Sequence, residues 1–249
     1  DVGVAMGRSG TDVAKEAAVV VLADDNFASI AEAVRTGRYV QGTIRRSMGF
    51  LTSGNLGEVV TVLAALVAGL PPVFTPSQLL LINLLSDGLP VSALILAPAG
   101  ATGHDPTIGA HVPRWGIDER LHRPVLGRAG LVGGLALGLF GWGLRNGGLP
   151  RARSLAFAGL IGNQLVQLPD WHPPPDSPSE RRERAWILGG AGVGSYVATL
   201  AATQVPWLGR LFGLAPLRLR DALPLLGSHA ATLALSKAAI PVAHRGTGP

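Results

Sequence analysis

The chain has 249 residues, 47% of them apolar and only 15% charged, a balance too apolar for an ordinary soluble domain and indicative of a membrane protein. It has no cysteine, which excludes disulfides and thiolate metal sites and argues against carriage of soft heavy metals. The net charge of +5 comes from arginines beside apolar segments rather than along one polar face, so membrane lipid headgroups, not nucleic acid, are the expected partner.

Residues 1–25 read as soluble α/β: a strand at 2–6, a helix at 11–18 with Thr11 as cap, and a strand at 19–22. Twenty-five residues cannot bury a core. They are expected to be the last edge of a larger domain whose earlier part is missing. The polar opening does not read as a signal peptide, so the amino end is expected in the cytosol. The run Gly7-Arg8-Ser9-Gly10-Thr11 precedes a helix, a placement that suits phosphate binding. Residues 26–47 form a stalk helix, with Asn26 as cap and Ile30, Ala33 and Val34 at helical spacing. Arg45 and Arg46 stand at the headgroup level, where this helix runs on into the membrane.

Spans of roughly 20 residues are expected at 48–70, 76–97, 127–144, 153–168, 186–206 and 221–241, which makes residues 48–241 a six-helix membrane domain. Residues 242–249 form a flexible tail. Both termini then lie on one side, and the loops at 98–126 and 169–185 are cytosolic, in keeping with Arg114, Arg120, Arg123, Arg181, Arg182 and Arg184. Arg145, Arg151, Arg153, Arg210, Arg218 and Arg220 fall on the opposite loops, so orientation rests more on the first helix. Gly134 with Gly138, and the glycines at 189–194, fit small-residue packing faces. The six histidines are scattered; those in loops or the tail are expected to be solvated, and His229 to pack or hydrogen-bond within the last span.

The chemistry concentrates in two spans. Asn55 and Glu58 share one helical face, and Asn83, Ser86 and Asp87 share another. A carboxylate inside a bilayer costs at least a few kcal/mol and marks a pathway or a partner. Gly88 and Pro90 follow Asp87 and predict unwinding, with backbone carbonyls as extra ligands. Gln164 is either a further neutral ligand or a packing residue. Hard oxygens of this kind suit calcium, manganese, magnesium or alkali cations. Asn55 and Ser86, taken singly, also suit hydrogen bonds between helices.

Several ordered segments resemble the P-type cation-transporting ATPases, particularly the calcium-pump branch. They are Asp1-Val2-Gly3-Val4-Ala5-Met6-Gly7, Gly10-Thr11-Asp12-Val13-Ala14-Lys15-Glu16-Ala17-Ala18 and Leu22-Ala23-Asp24-Asp25-Asn26-Phe27. Asn55-Leu56-Gly57-Glu58 and Asn83-Leu84-Leu85-Ser86-Asp87-Gly88-Leu89-Pro90 then follow. The resemblance implies an α-helical membrane protein: about six transmembrane helices, equivalent to helices five to ten of the family, after a small α/β remnant of a HAD-like phosphorylation domain. It further implies that Asn83 and Asp87 match the shared calcium site, and that Asn55, Glu58 and Ser86 match the second site of two-site pumps. Gln164 lies near a position where two-site pumps carry glutamate, which favours a single-ion pump. The phosphorylated aspartate, the nucleotide-binding and actuator domains, and the sites for ATP and Mg2+ are expected upstream. The chain alone should then not hydrolyse ATP. Calcium is the expected cargo, and the plasma membrane the expected location. The competing readings are a stand-alone, non-enzymatic membrane subunit or degenerate paralogue that binds ions or regulates a pump, and a secondary transporter or channel.

Overall fold

A computed structural model describes residues 2–98 and 119–240 of the chain. The first elements follow the expected order in shorter form. Strand β1 (Val4–Met6), helix α1 (Asp12–Ala17) and strand β2 (Val20–Leu22) make one parallel strand pair, with Val4 opposite Val20. The Thr11 hydroxyl accepts from the Ala14 amide and caps α1. Part of the Gly7–Thr11 run, read as suited to phosphate, is already engaged within the chain. Its Arg8 and Ser9 amides donate to the Asp25 carboxylate at 2.8 and 2.7 Å, and these bonds hold that carboxyl below its usual pKa. Asp25 takes a left-handed backbone (φ 56°) to reach them.

Helix α2 (Ala28–Val67) is continuous over 40 residues, so stalk and first span are one rod of about 60 Å. The cap position falls on Phe27, without a side-chain bond; the expected cap, Asn26, stands one residue earlier and its side-chain oxygen accepts from the Ala28 amide at 2.9 Å. Helix α3 (Pro76–Asn83), a π-helical turn (Leu84–Gly88) and helix α4 (Leu89–Leu96) form the second rod. The unwinding expected at Gly88 and Pro90 is absent. Pro90 lacks the amide that would close an α-turn on Ser86, and the wide π-turn accommodates that loss without opening the helix. Ser92 Oγ donates to the Gly88 carbonyl at 2.9 Å, so that oxygen already has a partner.

Helix α5 (Glu119–Leu165) is broken at Gly148, whose φ of 78° and ψ of 178° are non-helical. The chain doubles back there: an added Cβ on Gly143 would lie 2.5 Å from the Ala152 Cα, and one on Gly159 would meet Leu139. A 3-10 turn (Leu168–Trp171) leads to helix α6 (Pro178–Gln204), short helix α7 (Pro206–Phe212) and helix α8 (Leu219–Ala239). Among the described residues, four segments are long and apolar enough to cross a membrane: Ala28–Val67, Pro76–Leu96, His122–Trp171 and Pro178–Gln204. The six expected spans differ from these in two places. Those at 127–144 and 153–168 fall in one segment folded at Gly148. The last falls on α8, where Arg220, Asp221, His229 and Lys237 lower the apolar character.

The main core joins Phe140, Phe157, Leu160 and Ile161 of α5 to Ile82 of α3 and Ala65 of α2. Buried polar ties cross it. Arg151 meets Asp221 at 2.6 Å, and Asn163 bonds Ser228 and His229, which in turn contacts the Tyr196 hydroxyl at 3.0 Å. Close helix packing does not use the glycines expected for it. Gly134, Gly138, Gly189, Gly190, Gly192 and Gly194 face open space, while Gly49 and Gly54 of α2 and Gly133 of α5 sit hard against neighbours, and Gly57 of α2 makes ordinary contact with α5. His172 is also not solvated: it is 3% exposed, with Nε2 3.1 Å from the Ala97 carbonyl oxygen. The loop region at 99–118 and the tail at 242–249 lie outside the described residues.

Candidate cation site

Helix α2 contributes Asn55 and Glu58 to one face, as their spacing requires. Across from it, Asn83 ends α3, and the π-turn carries Ser86 and Asp87. A cavity of about 540 Å3 opens between the two helices, lined by Asn55, Glu58, Asn83 and Asp87, with Val59, Val62, Leu63 and Leu79 as its apolar walls. Glu58 is 8% exposed and its Oε1 is buried with no hydrogen-bond partner among the described residues. Asn55 and Asn83 sit exposed at the open side.

The two remaining expected residues reach the cavity through Asp87. Buried Ser86 donates its hydroxyl to Asp87 Oδ1 at 3.0 Å. Gln164, from the far end of α5, directs Nε2 to the same oxygen at 3.4 Å, a long and weak bond. Its Oε1 is buried and has no partner among the described residues. Of the six residues singled out in the sequence, Asn55, Glu58, Asn83 and Asp87 line the cavity, and Ser86 and Gln164 bond Asp87. Among the described residues no group of three or more His, Cys, Asp or Glu could share a metal; the cluster has two carboxylates, three amides and a hydroxyl.

Gly54 permits this arrangement. A Cβ there would fall 1.9 Å from Gln164 Nε2 and 2.4 Å from its Cδ, so the glutamine crosses α2 only because position 54 has no side chain. One turn on, the Gly57 carbonyl approaches Gly133, and Thr61 Oγ1 donates to the Gly133 carbonyl at 3.2 Å. Gly54 is not among the site residues singled out in the sequence. Its offset of four from Glu58 places it on the same face, which was the available signal.

The family model described as "Cation transporting ATPase, C-terminus" matches residues 71–239. The chain belongs to the P-type cation-transporting ATPases. The chain is 34% identical over 221 residues to the calcium-transporting ATPase of Bacillus subtilis, covering 85% of the chain and 24% of the relative. Calcium-transporting ATPase 1 of Lactococcus lactis is 42% identical over 139 residues, or 56% of the chain and 15% of the relative. An endoplasmic reticulum-type calcium-transporting ATPase 3 of Arabidopsis thaliana is 50% identical over 94 residues, or 38% and 9%. The chain thus spans less than a quarter of the length of these relatives. Membership and the long apolar helices make it an integral membrane protein.

Proposed function

We propose that this chain forms the carboxy-terminal ion pathway of an ATP-driven calcium pump, and that Asp87 is the centre of a single calcium site. The observation that carries this reading is the pair of buried, unpartnered oxygens, Glu58 Oε1 and Gln164 Oε1, beside Asp87. A buried polar atom without a hydrogen bond costs about 1–3 kcal/mol, and a cation coordinated there would remove that cost. Calcium takes 6–8 oxygens; Asn55, Glu58, Asn83, Ser86, Asp87 and Gln164 offer six side chains that carry them. Two carboxylates match the charge of one divalent ion, and the neutral amide of Gln164 adds an oxygen without adding charge. The names of the relatives, all calcium-transporting, favour calcium over manganese or magnesium.

In this reading the chain crosses the membrane six times, with α5 counted as two crossings about Gly148 and α8 as the last. Both termini face the cytosol across the plasma membrane. ATP and Mg2+ act in actuator, nucleotide-binding and phosphorylation domains that lie in the part of the relatives' length this chain does not cover, and residues 1–25 are the edge of the phosphorylation domain. Helix α2 joins that edge to Glu58 without a break and carries its movement to the site. The test is calcium-dependent phosphoenzyme formation by the intact protein with Asp87→Asn and Glu58→Gln. Both substitutions are expected to raise the calcium requirement at least about tenfold, which is ~1.4 kcal/mol. Wild-type calcium dependence in both would exclude the site.

A further inference from the structure

Two further cavities lie at the end of the bundle where α6 begins and α8 ends, away from the cation site. The larger, about 680 Å3, is lined by Arg128, Asp170, His172, Arg181, Arg184 and Lys237. The smaller, about 320 Å3, runs along α6 past Leu188, Gly192, Val193 and Val197. Pro169, Leu188 and Gly189 line both, so an ionic chamber is continuous with an apolar groove.

The chamber has an excess of positive charge. Asp170 engages Arg128 at 3.2 Å, and Glu180 engages Arg184 at 2.9 Å. Arg181 and Lys237 are exposed and have no ion-pair partner among the described residues. Arg184 is 8% exposed, and its Nε is buried without a hydrogen-bond partner among the described residues, although its other nitrogens bond the carbonyls of Pro98 and Pro173. The chamber therefore suits a ligand that brings negative charge and hydrogen-bond acceptors.

The groove suits hydrocarbon. Gly189 and Gly192 leave its floor bare, with nothing within 4 Å of an added Cβ. The ring nitrogens of His229 at its inner end are taken by Asn163 and Tyr196, so that end offers little to a polar ligand. From Leu188 to Val197 the groove runs along α6 for about 14 Å, close to half of the ~30 Å hydrocarbon core. That is the depth of one leaflet.

We infer that one anionic glycerophospholipid binds here, its phosphate among Arg181, Arg184 and Lys237 and one acyl chain along Gly189 and Gly192. An inorganic phosphate would use the chamber and leave the groove unused, whereas a phospholipid uses both. Two uncompensated cations distinguish a net-negative headgroup from a zwitterionic one.

The test is native mass spectrometry on the intact membrane protein carrying this sequence, stripped of lipid in mild detergent. It is then titrated with phosphatidylglycerol, phosphatidylcholine or inorganic phosphate. Phosphatidylglycerol is expected to be retained at least tenfold more strongly than phosphatidylcholine. The R181Q/K237Q variant should lose that preference, and Gly192→Leu should weaken phosphatidylglycerol several-fold with the cations intact. Equal retention of the two lipids by the unsubstituted protein would overturn the inference, and that arm needs no variant. So would a preference that survives R181Q/K237Q. Displacement of the lipid by equimolar inorganic phosphate, with no effect of Gly192→Leu, would reduce the site to a phosphate pocket and end the lipid reading.

Discussion

Substituting alanine for Gly54 tests the cation site without touching a charged residue. Alanine suits a helix better than glycine by about 1 kcal/mol, so α2 itself should tolerate the change. The new Cβ would stand 1.9, 2.4 and 2.8 Å from Gln164 Nε2, Cδ and Oε1, all inside contact distance. Those atoms are the far end of a flexible side chain, so the glutamine swings away while α2 and α5 keep their places. Both its link to Asp87 and its free oxygen leave the site. The loss is comparable to one hydrogen bond, on the order of 1 kcal/mol, or roughly five- to tenfold in apparent calcium affinity. Calcium-dependent phosphoenzyme formation by the intact protein measures it, in a double-mutant cycle with Gln164→Ala. If Gly54→Ala acts by displacing the glutamine, it should cost almost nothing once Gln164 is alanine. An unchanged affinity in Gly54→Ala, or a full loss that persists beside Gln164→Ala, would refute the reasoning.

Two further outcomes concern stability. Asp221 receives three contacts of 3.2 Å or less from Arg151, plus the Arg218 amide at 2.7 Å, and its side chain is fully buried. Asp221→Ala would strand the Arg151 charge and should destabilise the protein by about 3–5 kcal/mol in a denaturant titration in detergent; a loss below ~1 kcal/mol would show the pair to be dispensable. His172, in the turn beyond the span, is pushed down to about 4 by burial and then by the Arg184 and Arg46 charges. Its ordinary value is 6.5, so as pH falls through the window from 6.5 to about 4 only the unfolded chain gains a proton, and stability declines. Above that window His172 adds no pH dependence. His172→Gln should flatten this slope in thermal unfolding measured across the window, and an unaltered slope would remove His172 as its source.

The candidate site was legible because its residues obey a local rule. Asn55 with Glu58, and Asn83 with Ser86 and Asp87, stand three or four apart in apolar runs, and helix geometry alone puts each set on one face. Gln164 was legible only as a polar residue out of place, since its meeting with Asp87 spans 77 positions. What could not be read were facts of close approach. Gly134 and Gly189 look the same as Gly54 in sequence, yet only Gly54 has a neighbour where its Cβ would be. The local effect of Pro90 was misread for a related reason. A missing amide can open a helix or widen it, and packing of the neighbouring helices decides which. The Asp25 hold on Arg8 and Ser9 depends on a left-handed backbone that composition does not announce, so these two amides of the glycine run look available in the sequence although Asp25 holds both.

The seam between α2 and α5 has a mechanical consequence. Gly57 and Gly133 face each other there, Gly54 lies under the end of Gln164, and Thr61 to Gly133 is the one hydrogen bond that crosses it among the described residues. Val60 and Val132 wall this contact and Gln164 crosses it, so the two helices meet almost backbone to backbone in a close-packed seam. A side chain added at Gly57 or Gly133 would push α5 away from α2, and with it the end of Gln164 that reaches Asp87.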